Sequence, residues 1–249
     1  MNAALTILVA AFPMNSNSVL AFPKGKAARA GRHSKASLCI HSRPASAYEQ
    51  AVQRAVATPE FAPLFLTIWL GGTSHGKATE ADAVEWLLDE ARRWLKRTRL
   101  PYYALWVVEV GAIKGPHLHA LIHCPREHRR AFRKAIKDKL SPSCRGAVQI
   151  RNPKVRGEGF ECQGCGRPRN WQHLALCYFL KGGSAEVRRR NGIDLCASAA
   201  PEKYAQDQGT YVGKRIGFSR SLGKKANRRR VGGGVKFTDA RGFTGVSGD

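Results

Sequence analysis

The chain has 249 residues, enough for one sizeable core or for one core with tails. Lys and Arg outnumber Asp and Glu by 42 to 18, a formal net charge of +24, and a surplus of that size destabilises a compact state through self-repulsion unless a polyanion absorbs it. No stretch reaches the roughly 18 apolar residues of a membrane helix, and the apolar start MNAALTILVAAFP lacks the positive n-region of a secretory signal. Seven cysteines without disulfide-like regularity suit a reducing compartment, so the expectation is a cytoplasmic protein with nucleic acid, not a membrane, as its partner.

Residues 1–46 read as a disordered basic arm: from Phe12 to Ser46 there is no acidic residue and no periodicity. A short helix is expected over Ala47 to Val56, with Tyr48, Ala51, Val52 and Ala55 on one face. LFLTIWL, from Leu64, is short, apolar and rich in β-formers, a buried strand. TEADAVEWLLDEARRWLKRTR then predicts a helix capped by Thr79, with Val84, Leu87, Leu88, Ala91, Trp94 and Leu95 as its apolar stripe.

Tyr102 to Val110 and Pro116 to His123 are two further strands, joined by GAIKG as an antiparallel hairpin. Arg126 to Leu140 is a basic helix, and Gly146 to Ile150 another strand. A loop containing Gly, Arg and Cys leads to a helix over Trp171 to Leu180, capped by Asn170 and stopped by Gly182-Gly183. The order β-α-β-β-α-β predicts an α+β fold of the ferredoxin-like, split βαβ kind: a central antiparallel sheet with helices on one face. The folded domain is expected over 47–216, followed by a flexible basic tail over 217–249.

The chemistry-bearing residues lie between Glu109 and Lys181. Residues two apart on a strand share a face, so His117, His119, Leu121 and His123 point one way and Leu118, Ala120 and Ile122 the other. If GAIKG closes a hairpin, Glu109 lies almost opposite His117, about 5 Å away across the strands. Glu109, His117 and His119 are therefore the candidate ligands of one divalent ion, Mn²⁺ or Mg²⁺, with Zn²⁺ also compatible. Against this stands the plainer reading that the histidines are merely polar residues of a half-buried strand. His123 fits a supporting or DNA-contacting role better than a ligand's.

On the later helix, Leu174, Tyr178 and Lys181 lie three or four residues apart and so project from one side. A phenol with a pKa near 10 needs a cation to act as a nucleophile at pH 7, and Lys181 is the candidate to supply it. Tyr178, on this helix with Lys181 at that spacing, is the candidate nucleophile, and Tyr204 and Tyr211 are poor candidates beside it.

These residues resemble the motifs of the HUH endonucleases, and among them the rolling-circle replication initiator (Rep) proteins with a single catalytic tyrosine. LFLTIWL looks like the family's first motif, GPHLHALIH matches the second, and YFLK matches the third. The resemblance covers roughly Leu64 to Gly183. It implies Glu109, His117 and His119 as metal ligands, Tyr178 as nucleophile and Lys181 as its helper. It further implies nicking of single-stranded or hairpin DNA at a plasmid or phage origin through a 5′-phosphotyrosine, and a freed 3′-OH that primes synthesis. Without a helicase domain, unwinding and copying fall to a host helicase and polymerase. A single-tyrosine transposase is the nearest alternative, although its Tyr is commonly followed by Gln where this chain has Lys181. A non-catalytic basic nucleic-acid-binding protein is the alternative from another class.

Two weaker signals compete. Gly71, Gly76 and Lys77 fit G-x-x-x-x-G-K, but Ala78 stands where a P-loop has its hydroxyl, so a strand-to-helix loop is the expectation. Cys162-Gln163-Gly164-Cys165 is half of a zinc ribbon, which Cys144, His173 or Cys177 could complete. With no second C-x-x-C, free thiols in a loop is the commoner reading.

Overall fold

The computed structural model describes residues 36–74, 76–111, 115–140, 146–153, 161–204 and 209–223. The expected arm as far as residue 35, the tail from residue 224, and Cys144 lie outside the described residues. In chain order the elements are β1 (Ala36–Ser37), α1 (Ser42–Val56), β2 (Pro63–Trp69), α2 (Glu80–Arg97), β3 (Ala104–Gly111), β4 (Gly115–His123), α3 (Arg129–Leu140) and β5 (Val148–Arg151). There follow α4 (Trp171–His173), which runs into a π-helical turn over Leu174–Tyr178, then α5 (Ala185–Arg190), α6 (Ile193–Ala199), α7 (Pro201–Tyr204), β6 (Tyr211–Val212) and β7 (Ile216–Phe218).

The fold is α+β. A five-stranded sheet has the order β5-β2-β4-β3-β7 with every neighbouring pair antiparallel, and β1 pairs with β6 in a separate ribbon. In the run β2-α2-β3-β4-α3-β5 the first and third strands lie side by side in the middle of the sheet, which splits the βαβ unit as the element order predicts. Thr79 caps α2 as its sequence suggests, its hydroxyl accepting the Asp82 N–H at 3.1 Å.

The sheet is covered on both faces, not on one. Leu66 and Ile68 of β2, Trp106 and Val108 of β3, and Leu118 and Ala120 of β4 pack on α2 and α3. On the other side Phe65, Leu105, Val107 and Leu121 pack on α1, through Tyr48, Ala51, Val52 and Ala55, and on the segment after Asn170. The reason is written in β3: ALWVV does not alternate, so both of its sides are apolar and each needs a cover. The histidine face is thus a second core with a polar patch in it rather than an open surface.

Ordered elements extend past both expected boundaries. β1 and the first turns of α1 precede residue 47, and β7, at the sheet edge beside β3, carries the chain beyond residue 216. Ile40 is buried and pairs with the Gly182-Gly183 stop of the later segment: its N–H donates to Gly182 O at 2.9 Å, and Ser184 N–H donates to Ile40 O at 3.0 Å. Gly183 has to be glycine here, because a Cβ would meet Val187 Cγ1 at 2.6 Å and Leu180 O at 2.9 Å.

The would-be P-loop is a 3-10 turn, Leu70–Gly72, leading to a loop in which the Lys77 ammonium lies 5.2 Å over the Trp86 ring. Among the described residues no parallel strand pair supports a nucleotide-binding unit; each sheet pairing is antiparallel.

His123 closes β4 in a structural role. It is 2% exposed, its Nδ1 accepts the Ala62 N–H at 3.1 Å, and Phe61 and Tyr103 flank its ring. That burial leaves no DNA-contacting surface. Burial is also the main cause that lowers its pKa below 6.5, with Arg129 assisting against Glu60 and Glu127. The unfolded chain therefore takes up this proton at a higher pH than the folded one, and stability falls as pH drops below about 6.5. Urea unfolding at about pH 7.5 and 5.5 should show this loss in the wild type and a smaller loss in His123→Gln, which starts less stable.

Candidate functional site

The β3–β4 register sets Glu109 opposite His117 and Val107 opposite His119, and across the other side of β4 it sets Thr67 opposite His119. The Glu109 carboxylate reaches diagonally, so its Oε2 lies 3.1 Å from His119 Nε2 rather than meeting His117 head-on. Its other oxygen, Oε1, lies 2.7 Å from Lys181 Nζ, a lysine only 4% exposed. The His117 and His119 rings are parallel within 9°, with centres 6.3 Å apart.

Hydrogen-bond chemistry constrains the protons. A carbonyl only accepts, so the 2.8 Å contact of His117 Nδ1 with Gly115 O places the ring proton on Nδ1 and the lone pair on Nε2. A carboxylate likewise accepts, so His119 donates from Nε2 to Glu109, and its Nδ1 accepts from the Thr67 hydroxyl at 3.1 Å. Because that hydroxyl can donate or accept, it also serves the other tautomer, in which Nε2 is the electron-pair donor. Burial pushes the Glu109 carboxyl upward, but the His119 hydrogen bond and the Lys181 charge outweigh it and hold the pKa at about 2.

Tyr178 and Lys181 arrive from the segment that follows Asn170. Asn170 caps α4 as expected, its side chain accepting from Gln172 N–H at 2.9 Å and His173 N–H at 3.1 Å. The helix expected as far as Leu180 is not a regular one. After one α turn it widens into the π turn, closed by Phe179 N–H donating to Leu174 O at 3.0 Å, and then ends in tight turns. The extra residue lets Cys177, Phe179 and Leu180 all be buried while Tyr178 between them stays half-buried. Turns of this kind are rare and concentrate at functional sites.

The Tyr178 ring stands edge-on to His119, with centres 5.5 Å apart, and the Lys181 ammonium lies 4.2 Å from the centre of the same ring. Burial pushes the Tyr178 phenol above its ordinary value of 10.0, Glu109 adds to that, and Arg151 opposes it. Arg151, at the end of β5, also lies 5.5 Å over the Phe65 ring, whose plane stacks within 17° of His119.

Four of the five sequence-predicted residues thus meet: Glu109, His119, Tyr178 and Lys181, with His117 beside His119. What they form is an ion-paired, hydrogen-bonded cluster. Among the described residues, Glu109, His117 and His119 do not gather as a group poised to hold an ion: the two Glu109 oxygens are taken by His119 and Lys181, and an ion there would have to displace Lys181. Thr67 and Arg151 were not foreseen; the alternation of β2 and the β2–β4 register would have pointed to Thr67.

No family model, curated protein or solved structure matches the chain.

A second cluster lies at the start of the same segment. Cys162, Cys165, His173 and Cys196 present one ligand atom each, all within 4.8 Å of one another, and could hold a metal ion. This is the one group of three or more such residues among the described residues. His173 was foreseen as a partner of the Cys162/Cys165 pair; Cys196 was not, because nothing near it in sequence marks it. Cys177 sits 3.7 Å from Cys165, against Arg167, and burial pushes its thiol up to about 12. Among the described residues no helix is long and apolar enough to cross a membrane.

The ion pair gives a double-mutant test. Glu109→Gln removes the carboxylate charge that neutralises a buried ammonium and should cost about 3–5 kcal/mol in urea unfolding with a chelator present. Glu109→Gln combined with Lys181→Met should cost much less than the sum of the two single changes.

Proposed function

We propose that this chain is a metal-dependent DNA nickase and strand transferase that initiates rolling-circle replication of a plasmid or phage, with Tyr178 as the nucleophile. The observation that carries the reading is the meeting of Tyr178, Lys181, Glu109 and His119 in one polar patch, set in a face that is otherwise apolar. A buried carboxylate, ammonium and imidazole are costly to assemble there, and a fold has little reason to place a tyrosine ring against all of them for packing alone. The order of motifs and the strongly basic composition point to the same substrate, DNA at an origin.

The phenol oxygen of Tyr178 attacks the scissile phosphorus, forming a tyrosine–phosphate bond on the 5′ side while the bond to the 3′ oxygen breaks. The phenolic proton passes to water and the departing 3′ oxygen gains one, so the step is proton-neutral. Lys181, over the ring, stabilises the phenolate and the charge that builds on phosphorus once it is released from Glu109. Arg151 is the exposed cation best placed to draw in a phosphate and to oppose the raised phenol pKa. In this reading Glu109, His117 and His119 are the residues that would hold a divalent ion, Mn²⁺ with Mg²⁺ tolerated, and it would supply Lewis-acid stabilisation of the phosphate oxygen. His117 is held ready for this by Gly115, and His119 by Thr67, each through Nδ1. A zinc ion on the cysteine cluster suits a structural role, since thiolates and one imidazole leave no open coordination position.

Incubation of the protein with Mn²⁺ and end-labelled single-stranded origin DNA should give a covalent protein–DNA adduct on a denaturing gel. Mass spectrometry should place the adduct on Tyr178. Tyr178→Phe should abolish the adduct, Tyr204→Phe should retain it, and Lys181→Met should slow its formation by about 10²-fold or more. Binding without an adduct under all metals tried would replace this reading with that of a non-catalytic basic binding protein.

A further inference from the structure

The cysteine cluster is built like a metal knuckle before any ion is considered. Cys162 to Gly166 forms a closed turn: Gly166 N–H donates to Cys162 O and Cys162 N–H to Arg167 O, both at 2.8 Å, and Gly166 has φ +67°. The backbone N–H groups of Gly164 and Cys165 donate to the Cys162 sulfur, the pattern that stabilises a thiolate ligand. Helix α6 is pressed onto this turn, and its Cys196 Sγ lies 3.5 Å from Cys162 Sγ and 4.0 Å from His173 Nε2. The approach is so close that a Cβ on Gly164 would meet Leu195 O at 2.3 Å and Cys196 Cα at 2.6 Å. Only a glycine lets α6 reach the knuckle.

What makes this cluster more than a buried thiol group is where His173 sits. It is the last residue of α4, immediately before the π turn that ends at Tyr178. A π turn is poorly self-sustaining, so its register has to be fixed from outside. Downstream, Gly182-Gly183 is fastened to Ile40. Upstream, the His173 side chain is the corresponding fixed point, and Tyr204 touches both ends of the turn, with ring centres 6.4 Å from His173 and 6.3 Å from Tyr178.

We infer that Cys162, Cys165, His173 and Cys196 bind one zinc ion that clamps the start of the π-helical turn and thereby holds Tyr178 over the Glu109–His119 pair. Three thiolates and one imidazole in a tetrahedral set select zinc over hard, oxygen-seeking cations, and binding expels the thiol protons. Cys177 stays outside the set as a neutral thiol. The consequence for catalysis rests on the reading of Tyr178 as nucleophile; the clamp itself does not.

The test uses the full chain without DNA. Purified protein should contain about one zinc per chain, released by a thiol-blocking mercurial into a chromophoric chelator. Cobalt added to the stripped protein should give thiolate charge-transfer absorption. Cys162→Ser and Cys196→Ser should lose the zinc, Cys39→Ser and Cys177→Ser should keep it, and His173→Cys, a conservative ligand exchange, should keep it too. By hydrogen exchange, stripping should speed exchange of the peptide covering Trp171 to Lys181 by about tenfold or more and leave peptides of β2 and β4 unchanged, with protection returning when zinc is restored. Protein that neither contains zinc nor shows the cobalt band would overturn the site. Zinc that can be removed without altering the Trp171–Lys181 peptide, or whose removal exposes the sheet equally, would overturn the clamp. A zinc-loaded, clamped protein that forms no DNA adduct would leave this inference standing and remove the nicking reading.

Discussion

The contact between the Glu109 carboxylate and the Lys181 ammonium, 2.7 Å apart in a nearly closed interior, constrains this protein more than any other. Either charge alone would be very expensive at that depth, and together they are tolerable only at short range with their remaining hydrogen-bonding capacity used. Glu109 is placed by the β3–β4 register, whereas Lys181 belongs to a segment some seventy residues further on. The turns after Tyr178, the Gly182-Gly183 stop and its fastening to Ile40 all act to bring the ammonium to that one spot. His119 and Thr67 complete the chain of bonds on the other oxygen of the carboxylate.

The same contact sets up a competition. The carboxylate that the proposed divalent ion would share with two imidazoles is the one that Lys181 holds, so binding of such an ion would require release of the ammonium. Lys181 freed from Glu109 is already over the Tyr178 ring. A phenol made reluctant to ionise by burial and by Glu109 would feel both changes in the same direction: the negative neighbour is neutralised and a positive one becomes available. Under the proposed nicking role, such coupling would keep Tyr178 protonated in a metal-free chain.

Much of this was legible in the sequence because it depends on short-range periodicity. The alternation of His117-Leu118-His119 gave the face, GAIKG gave the hairpin and hence the Glu109 register, and Thr79 and Asn170 marked helix starts by their side-chain chemistry. What could not be read was set by contacts distant in sequence. The cover on the histidine face comes from α1, whose amphipathic pattern says that it packs but not where. The three-residue β7 is too short to carry a pattern, and the π turn reflects competition between Cys177, Phe179 and Leu180 for burial, which helical spacing alone does not reveal. Cys196 joined the cysteine cluster only because Gly164 permits a close approach, a fact invisible until α6 is docked.

Phe65 forms a boundary between two environments. One side of its ring faces the exposed guanidinium of Arg151, and the ring also stacks with the buried imidazole of His119. The wall between solvent and the polar interior is here a single aromatic layer. An anion resting on Arg151 would sit just across a polarisable pane from the histidine, close enough for its field to be felt inside without any side chain having to move.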